Sequence, residues 1–158
     1  MDSIVTTTGT IIDTPVETLS EIPGGMSGSP ILVYDGECNL CNGVVRFILK
    51  YEAAPALRFA PSDTMIGESL CSDSGIAGAP DETFLLWRDS VYLERSDAAL
   101  AVCGYLRVPW RWTEHLRIVP KRLRDGVYRL IARHRYRIFG RRQSCHIPDG
   151  HQRARFLV

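Results

Sequence analysis

No stretch of the 158-residue chain approaches the roughly 18 consecutive apolar residues that a membrane-spanning helix requires. The first residues, Met1-Asp2-Ser3-Ile4-Val5-Thr6-Thr7-Thr8, have neither the basic start nor the apolar run of a secretory signal, so the expected location is the cytoplasm. Cysteine is too sparse for a secreted disulfide framework: there are five, an odd number, and one close pair, Cys38 and Cys41. A second Cys-x-x-Cys, which a four-cysteine zinc site would need, is missing. Internal repeats and low-complexity tracts are missing too. What is present is a chain of single-domain length whose 45% hydrophobic residues suffice for a buried core.

Charge is nearly balanced overall, at +1, but it is divided along the chain. Residues 1–106 hold 5 basic and 15 acidic side chains, and residues 107–158 hold 14 basic and 3 acidic. The simplest consequence is attraction that docks the basic part on the acidic part, and an anionic partner is the other reading. Nucleic acid is the least favoured such partner, because the basic run lacks a recognised reader motif. Peripheral contact with a membrane surface is left open.

Residues 1–29 are rich in Thr, Ser, Gly, Pro and acids without sustained periodicity, which predicts a flexible tail. The apolar run over 31–34 predicts a central strand, and Asp35-Gly36 a turn. A helix is expected from Cys38–Cys41 to about Tyr51, barred from continuing by Pro55. A strand over 57–60 follows, then a helix over about 63–71 capped by Ser62. Strands over 83–87 and 91–94 are joined by a link short enough for an antiparallel hairpin, and Ser96 is expected to cap a helix reaching about Tyr105. Helices between the first three strands allow them to pair in parallel. This βαβαββα order, over 30–106, is that of an α/β thioredoxin-like core. Over 107–158 a basic, helical C-terminal extension is expected, with helices opened by Pro109 and Pro120. The second helix carries Leu123, Val127, Leu130 and Ile131 at helical spacing.

The cysteine pair falls where a strand gives way to a helix. Unpaired N–H groups and the positive end of the helix dipole lower a thiol pKa there and favour the thiolate, the species that attacks disulfides. Cys38, at the expected exposed helix start, is the candidate nucleophile, and Cys41, about one turn further in, the candidate resolving thiol. Asp35 has two readings: a base that relays the Cys41 proton, or a turn former whose carboxylate accepts backbone N–H bonds. Cys103, inside an apolar helical pattern, reads as a small buried hydrophobe.

The segment Tyr34-Asp35-Gly36-Glu37-Cys38-Asn39-Leu40-Cys41 resembles the Asp-x-x-Cys-x-x-Cys signature of the DCC family of thiol-disulfide oxidoreductases. The resemblance continues through Leu57-Arg58-Phe59-Ala60-Pro61, Arg95-Ser96-Asp97-Ala98-Ala99 and 135–142 up to Cys145. It implies a thioredoxin-like fold and a Cys38/Cys41 dithiol-disulfide cycle acting on a disulfide-containing or dithiol partner. No organic cofactor is implied, since both electrons reside on the sulfur pair.

Cys145 matches the family's third recurrent cysteine and is a candidate third thiol, or a buried C-terminal one. His134, Arg135, Tyr136 and Arg141, in the same block, either line the mouth of the site and raise its positive potential or lie on a solvated helix face. Thioredoxin-like enzymes place a cis-proline just before the third core strand, whereas Pro80 here stands three residues before Thr83. Pro80 reads as an ordinary loop proline, and Thr83 and Phe84 remain the candidate substrate-binding neighbours of the pair from that loop. Two other functions stay open. One is a non-enzymatic thioredoxin-like module that binds through its basic face. The other is a zinc site in which Cys145 and His146 join Cys38 and Cys41.

Overall fold

The computed structural model describes residues 28–75, 84–141 and 150–158. The expected tail (all but its last two residues), Pro80, Thr83, Cys145 and His146 lie outside them. Four strands, β1 (Ile31–Tyr34), β2 (Arg58–Pro61), β3 (Phe84–Arg88) and β4 (Val91–Glu94), form one sheet in the order β2-β1-β3-β4. Helices α1 (Asn39–Tyr51), α2 (Met65–Asp73) and α3 (Arg95–Cys103) complete the βαβαββα order of the thioredoxin-like core. A 3-10 helix over Trp110–Ile118 leads into α4 (Lys121–Phe139), and a short 3-10 turn spans Gly150–Arg155.

Strands β1 and β2 are parallel, with Tyr34 opposite Pro61. Parallel pairing of β3, which the intervening helices allow, does not occur: β3 runs antiparallel to β1, and β4 antiparallel to β3. Tyr34 at the end of β1 faces Phe84 at the start of β3. The chain thus enters β3 at the end of the sheet where β1 and β2 leave it, which places Phe84 beside the cysteine turn.

Alternation along the strands sorts the core into two layers. Leu32, Tyr34, Phe59, Phe84 and Leu86 pack with α1 and α3 through Val45, Ile48, Ala98 and Val102. Ile31, Val33, Ala60 and Leu85 face the other way, against Leu70 of α2 and Leu157. The C-terminal residues contribute to this core through Phe156 and Leu157. Leu157 N–H donates to Phe59 O at 2.8 Å, and the Phe156 ring stacks on Phe59 at 5.2 Å.

Local starts differ from the expected caps in two places. Thr64, not Ser62, caps α2, accepting from Gly67 N–H at 3.2 Å. Ser96 lies inside α3, where its hydroxyl donates to Asp125 of α4 and accepts from Arg124 at 3.1 Å. Arg124 and Lys121 also reach Asp97, at 2.9 and 2.7 Å, so the start of α4 is tied to α3 by charge. Among the described residues no helix is long and apolar enough to cross a membrane.

Candidate active site

The end of β1 delivers Asp35, and the turn after it delivers Cys38 as the residue preceding α1. Asp35 is 6% exposed and organises this turn. Its Oδ1 accepts from the backbone N–H groups of Glu37, at 2.9 Å, and Cys38, at 3.2 Å. Its Oδ2 accepts from Arg135 Nη2 at 2.8 Å and from the Tyr136 hydroxyl. Asn42 ties the other side: its Nδ2 donates to Gly36 O at 2.7 Å and Cys38 O at 3.0 Å. A buried asparagine one residue after the second cysteine was the available signal for this role, and the sequence reading missed it.

The far end of α4 closes over the helix start. Asn39 Nδ2 donates to Phe139 O at 2.9 Å, and Asn39 N–H reaches Gly140 O at 3.5 Å. Gly140, with φ of 76°, turns the chain so that Arg141 forms an isolated bridge with Cys38. The Arg141 guanidinium lies 4.2 Å from the Tyr136 ring centroid. Cys38 is therefore wholly buried, which corrects the expectation of an exposed helix start. The covering residues lie about a hundred positions away in the chain, beyond any local pattern.

Both cysteines are free thiols. Burial, and next the Cys38 sulfur to which it is hydrogen-bonded, push the Cys41 thiol up to about 12, against a smaller opposing pull from Arg135. Cys41 therefore holds its proton at neutral pH. No acidic side chain occupies the first turn of α1 itself, and the carboxylate that meets the helix start is that of Asp35, on the Cys38 N–H. Burial and the hydrogen bond to Asp35 raise the Tyr136 hydroxyl, which stays protonated as a donor to that carboxylate.

Two cavities flank the pair. One of about 140 Å³ is mostly apolar and is lined by Leu40, Cys41, Val44, Phe84, Ala99 and Arg135, among others. Its volume is comparable to a cavity that holds a benzene ring. The other, of about 500 Å³, is lined by neither Cys38 nor Cys41 and has Asp35, Glu37, Asp63, Glu68, Tyr136 and Arg141 in its walls. Of the sequence candidates, Asp35, Cys38, Cys41 and Phe84 come together, joined by Arg135, Tyr136 and Arg141. Thr83 and Cys145 fall outside the described residues. Among the described residues no group of three or more His, Cys, Asp or Glu side chains is arranged to hold a metal ion.

The family model for DCC1-like thiol-disulfide oxidoreductase matches residues 32–141, from β1 through the segment that covers Cys38. The chain belongs to that family. It is similar to the uncharacterised protein YuxK of Bacillus subtilis, at 38% identity over 127 residues, covering 80% of this chain and 93% of that protein. It is also similar to a chloroplastic DCC family protein of Arabidopsis thaliana, at 34% identity over 122 residues, covering 75% of this chain and 69% of that one. No solved structure gives a significant match. Family membership carries a thiol-disulfide redox role at the level of the family. The matched span includes Arg135, Tyr136 and Arg141 as well as the cysteine motif, so the α4 end belongs to the family's shared region.

Proposed function

We propose that the chain is a thiol-disulfide oxidoreductase working through a Cys38–Cys41 dithiol-disulfide cycle on a disulfide-containing or dithiol partner in the cytoplasm. The observation that carries this reading is the hydrogen-bonded pair in which Cys41 retains its proton beside Cys38 at the start of α1. In the reducing direction the Cys38 thiolate attacks one sulfur of the partner disulfide. A Cys38–partner disulfide forms, the partner's S–S bond breaks, and its other sulfur leaves as a thiolate that takes up a proton. Cys41 then attacks the Cys38 sulfur, and its proton passes to the departing second sulfur of the partner. The Cys38–Cys41 disulfide forms, the partner's second sulfur leaves, and two electrons have passed from pair to partner. The oxidising direction is the reverse, and the relative potentials decide between them.

The neighbouring side chains have positioning roles in this scheme. Four donors occupy the Asp35 carboxylate, which suits it to holding the Cys38 turn and leaves little room to accept the Cys41 proton. Arg135 and Tyr136 fix that carboxylate from α4. The apolar cavity at Cys41, with Phe84 in its wall, would seat an apolar group next to the partner's disulfide. Attack by buried Cys38 requires residues 140–141 to move off the helix start, and the 3.5 Å contact from Asn39 N–H is a weak tie.

The experiment is a redox titration of the pure protein in glutathione buffers, with alkylation and mass mapping of the cysteines. A reversible two-electron transition confined to Cys38 and Cys41 is expected. Failure to form that disulfide at any accessible potential would sink the proposal.

A further inference from the structure

A surface helix of a globular domain normally turns its apolar stripe inward. Helix α4 does the opposite. Its inward stripe is Asp125, Tyr128, Ala132 and Arg135, and the two charged members are buried at 8% and 2% exposure. Its outward stripe is Leu123, Val127, Leu130, Ile131 and Ile138, each between 48% and 67% exposed. Beside that stripe, at spacings of three and four residues, run Arg122, Gly126, Arg129, Arg133 and Arg137. These four arginines are exposed, and none makes an ion pair among the described residues.

Gly126 leaves a gap in the basic stripe. A hollow of about 310 Å³ opens there among Gly126, Arg129, Leu130 and Arg133, at the border between the basic and apolar stripes. Two guanidinium groups about one helical turn apart stand along it, with aliphatic surface next to them.

We propose that this face of α4 docks on an anionic lipid bilayer, with the aliphatic stripe in the interface and a headgroup phosphate held by Arg129 and Arg133 at the Gly126 hollow. Aliphatic and arginine stripes side by side are what a helix lying in the plane of a bilayer interface presents. Guanidinium forks match phosphate oxygens, and each base near an anionic leaflet strengthens binding by about fivefold. A second copy of the chain is a poor occupant. Helix α4 carries seven basic residues against one acid, and pairing it with itself would set like charges together. Nucleic acid would satisfy the arginines but leave the aliphatic stripe without a use. The proposal does not depend on the dithiol chemistry. Its geometry does bear on that chemistry, because Ile131 belongs both to the outward stripe and to the wall of the cavity beside Cys41.

The test is flotation of the full-length protein with vesicles of phosphatidylcholine, with and without phosphatidylglycerol. Binding is expected to the anionic vesicles alone and to weaken as salt is raised. Leu130→Glu should abolish flotation, and Arg129→Ala with Arg133→Ala should lower the bound affinity by about twentyfold to thirtyfold. All three side chains are exposed, so these variants should keep the parent's urea midpoint and its Cys38–Cys41 oxidation midpoint. Absence of binding to anionic vesicles, equal binding to neutral ones, or binding untouched by the substitutions would overturn the proposal. So would light scattering that shows a dimer which Leu130→Glu splits into monomers, since the face would then be an interface between copies.

Discussion

Arg135 and Asp35 stand a hundred residues apart in the chain and 2.8 Å apart in space, both at most 6% exposed. Removing one partner of such a pair strands the other as a buried charge, at a cost of about 3–5 kcal/mol. Arg135→Met is therefore expected to lower the urea stability by an amount in that range. Asp35→Asn should cost less, since an amide oxygen can still accept from the Glu37 and Cys38 N–H groups. The same variant separates positioning from proton relay. A positioning Asp35 predicts an exchange rate that falls by a similar factor at every pH, and loss of a titration step from the rate profile would instead assign it the relay.

The raised Cys41 thiol predicts a large difference from an ordinary cysteine. With a pKa of about 12 it is about one part in ten thousand thiolate at pH 8, roughly a thousandfold less than an ordinary cysteine thiol with a pKa of about 9. Alkylation of Cys41 followed by peptide mapping should show at least that slowing. Stability follows the same linkage. The folded pKa lies above the unfolded one, so the reduced protein keeps this contribution below about pH 9 and loses it as pH rises toward about 12. Urea midpoints should therefore fall more steeply over that window than those of Cys41→Ser, and parallel slopes would contradict the assignment.

The cover over Cys38 hangs on few bonds. Asn39 supplies two of them, its side-chain amide to Phe139 O and its backbone N–H to Gly140 O. Asn39→Ala removes the stronger and leaves the 3.5 Å contact. Cys38 should then alkylate severalfold faster than in the parent, with little change in global stability because Asn39 sits near the surface. An unchanged Cys38 rate would mean that the 140–141 segment does not limit access.

Local chemistry explains why so much of this was legible in the sequence. The Asp35-Gly36 turn, the apolar run over β1, and Val45 and Ile48 on the buried side of α1 are short-range patterns, and they located the cysteine pair on its strand–turn–helix. The direction of β3 was not legible, because equally spaced helices permit either pairing and the register is set by Tyr34 meeting Phe84 across the sheet. Cys38 burial and the ties of Arg135 and Tyr136 to Asp35 depend on residues 100 to 103 positions apart, which no periodicity reports. Helix α4 shows the limit most plainly. Its aliphatic spacing was visible, but spacing alone does not say which side faces the core, and there the ion pairs of Arg124 and Arg135 decided the rotation.

Two glycines predict opposite outcomes for the same substitution. Replacing a helix-interior glycine by alanine ordinarily stabilises by about 1 kcal/mol, because alanine loses less backbone entropy. At Gly43 in α1 a new Cβ meets nothing within 4 Å, so Gly43→Ala should show that gain as a higher urea midpoint. At Gly67 in α2 the Cβ would lie 2.1 Å from Pro61 O and 2.9 Å from Ser62 Cα, both backbone atoms at the end of β2. Neither can rotate away, so α2 must lift from the strand, and overpacking of this kind costs about 1–3 kcal/mol. That cost exceeds the entropic gain over most of its range. Gly67→Ala should therefore lower the urea midpoint, and a midpoint at or above the parent's would show that α2 does not sit against the end of β2 as closely as this contact requires.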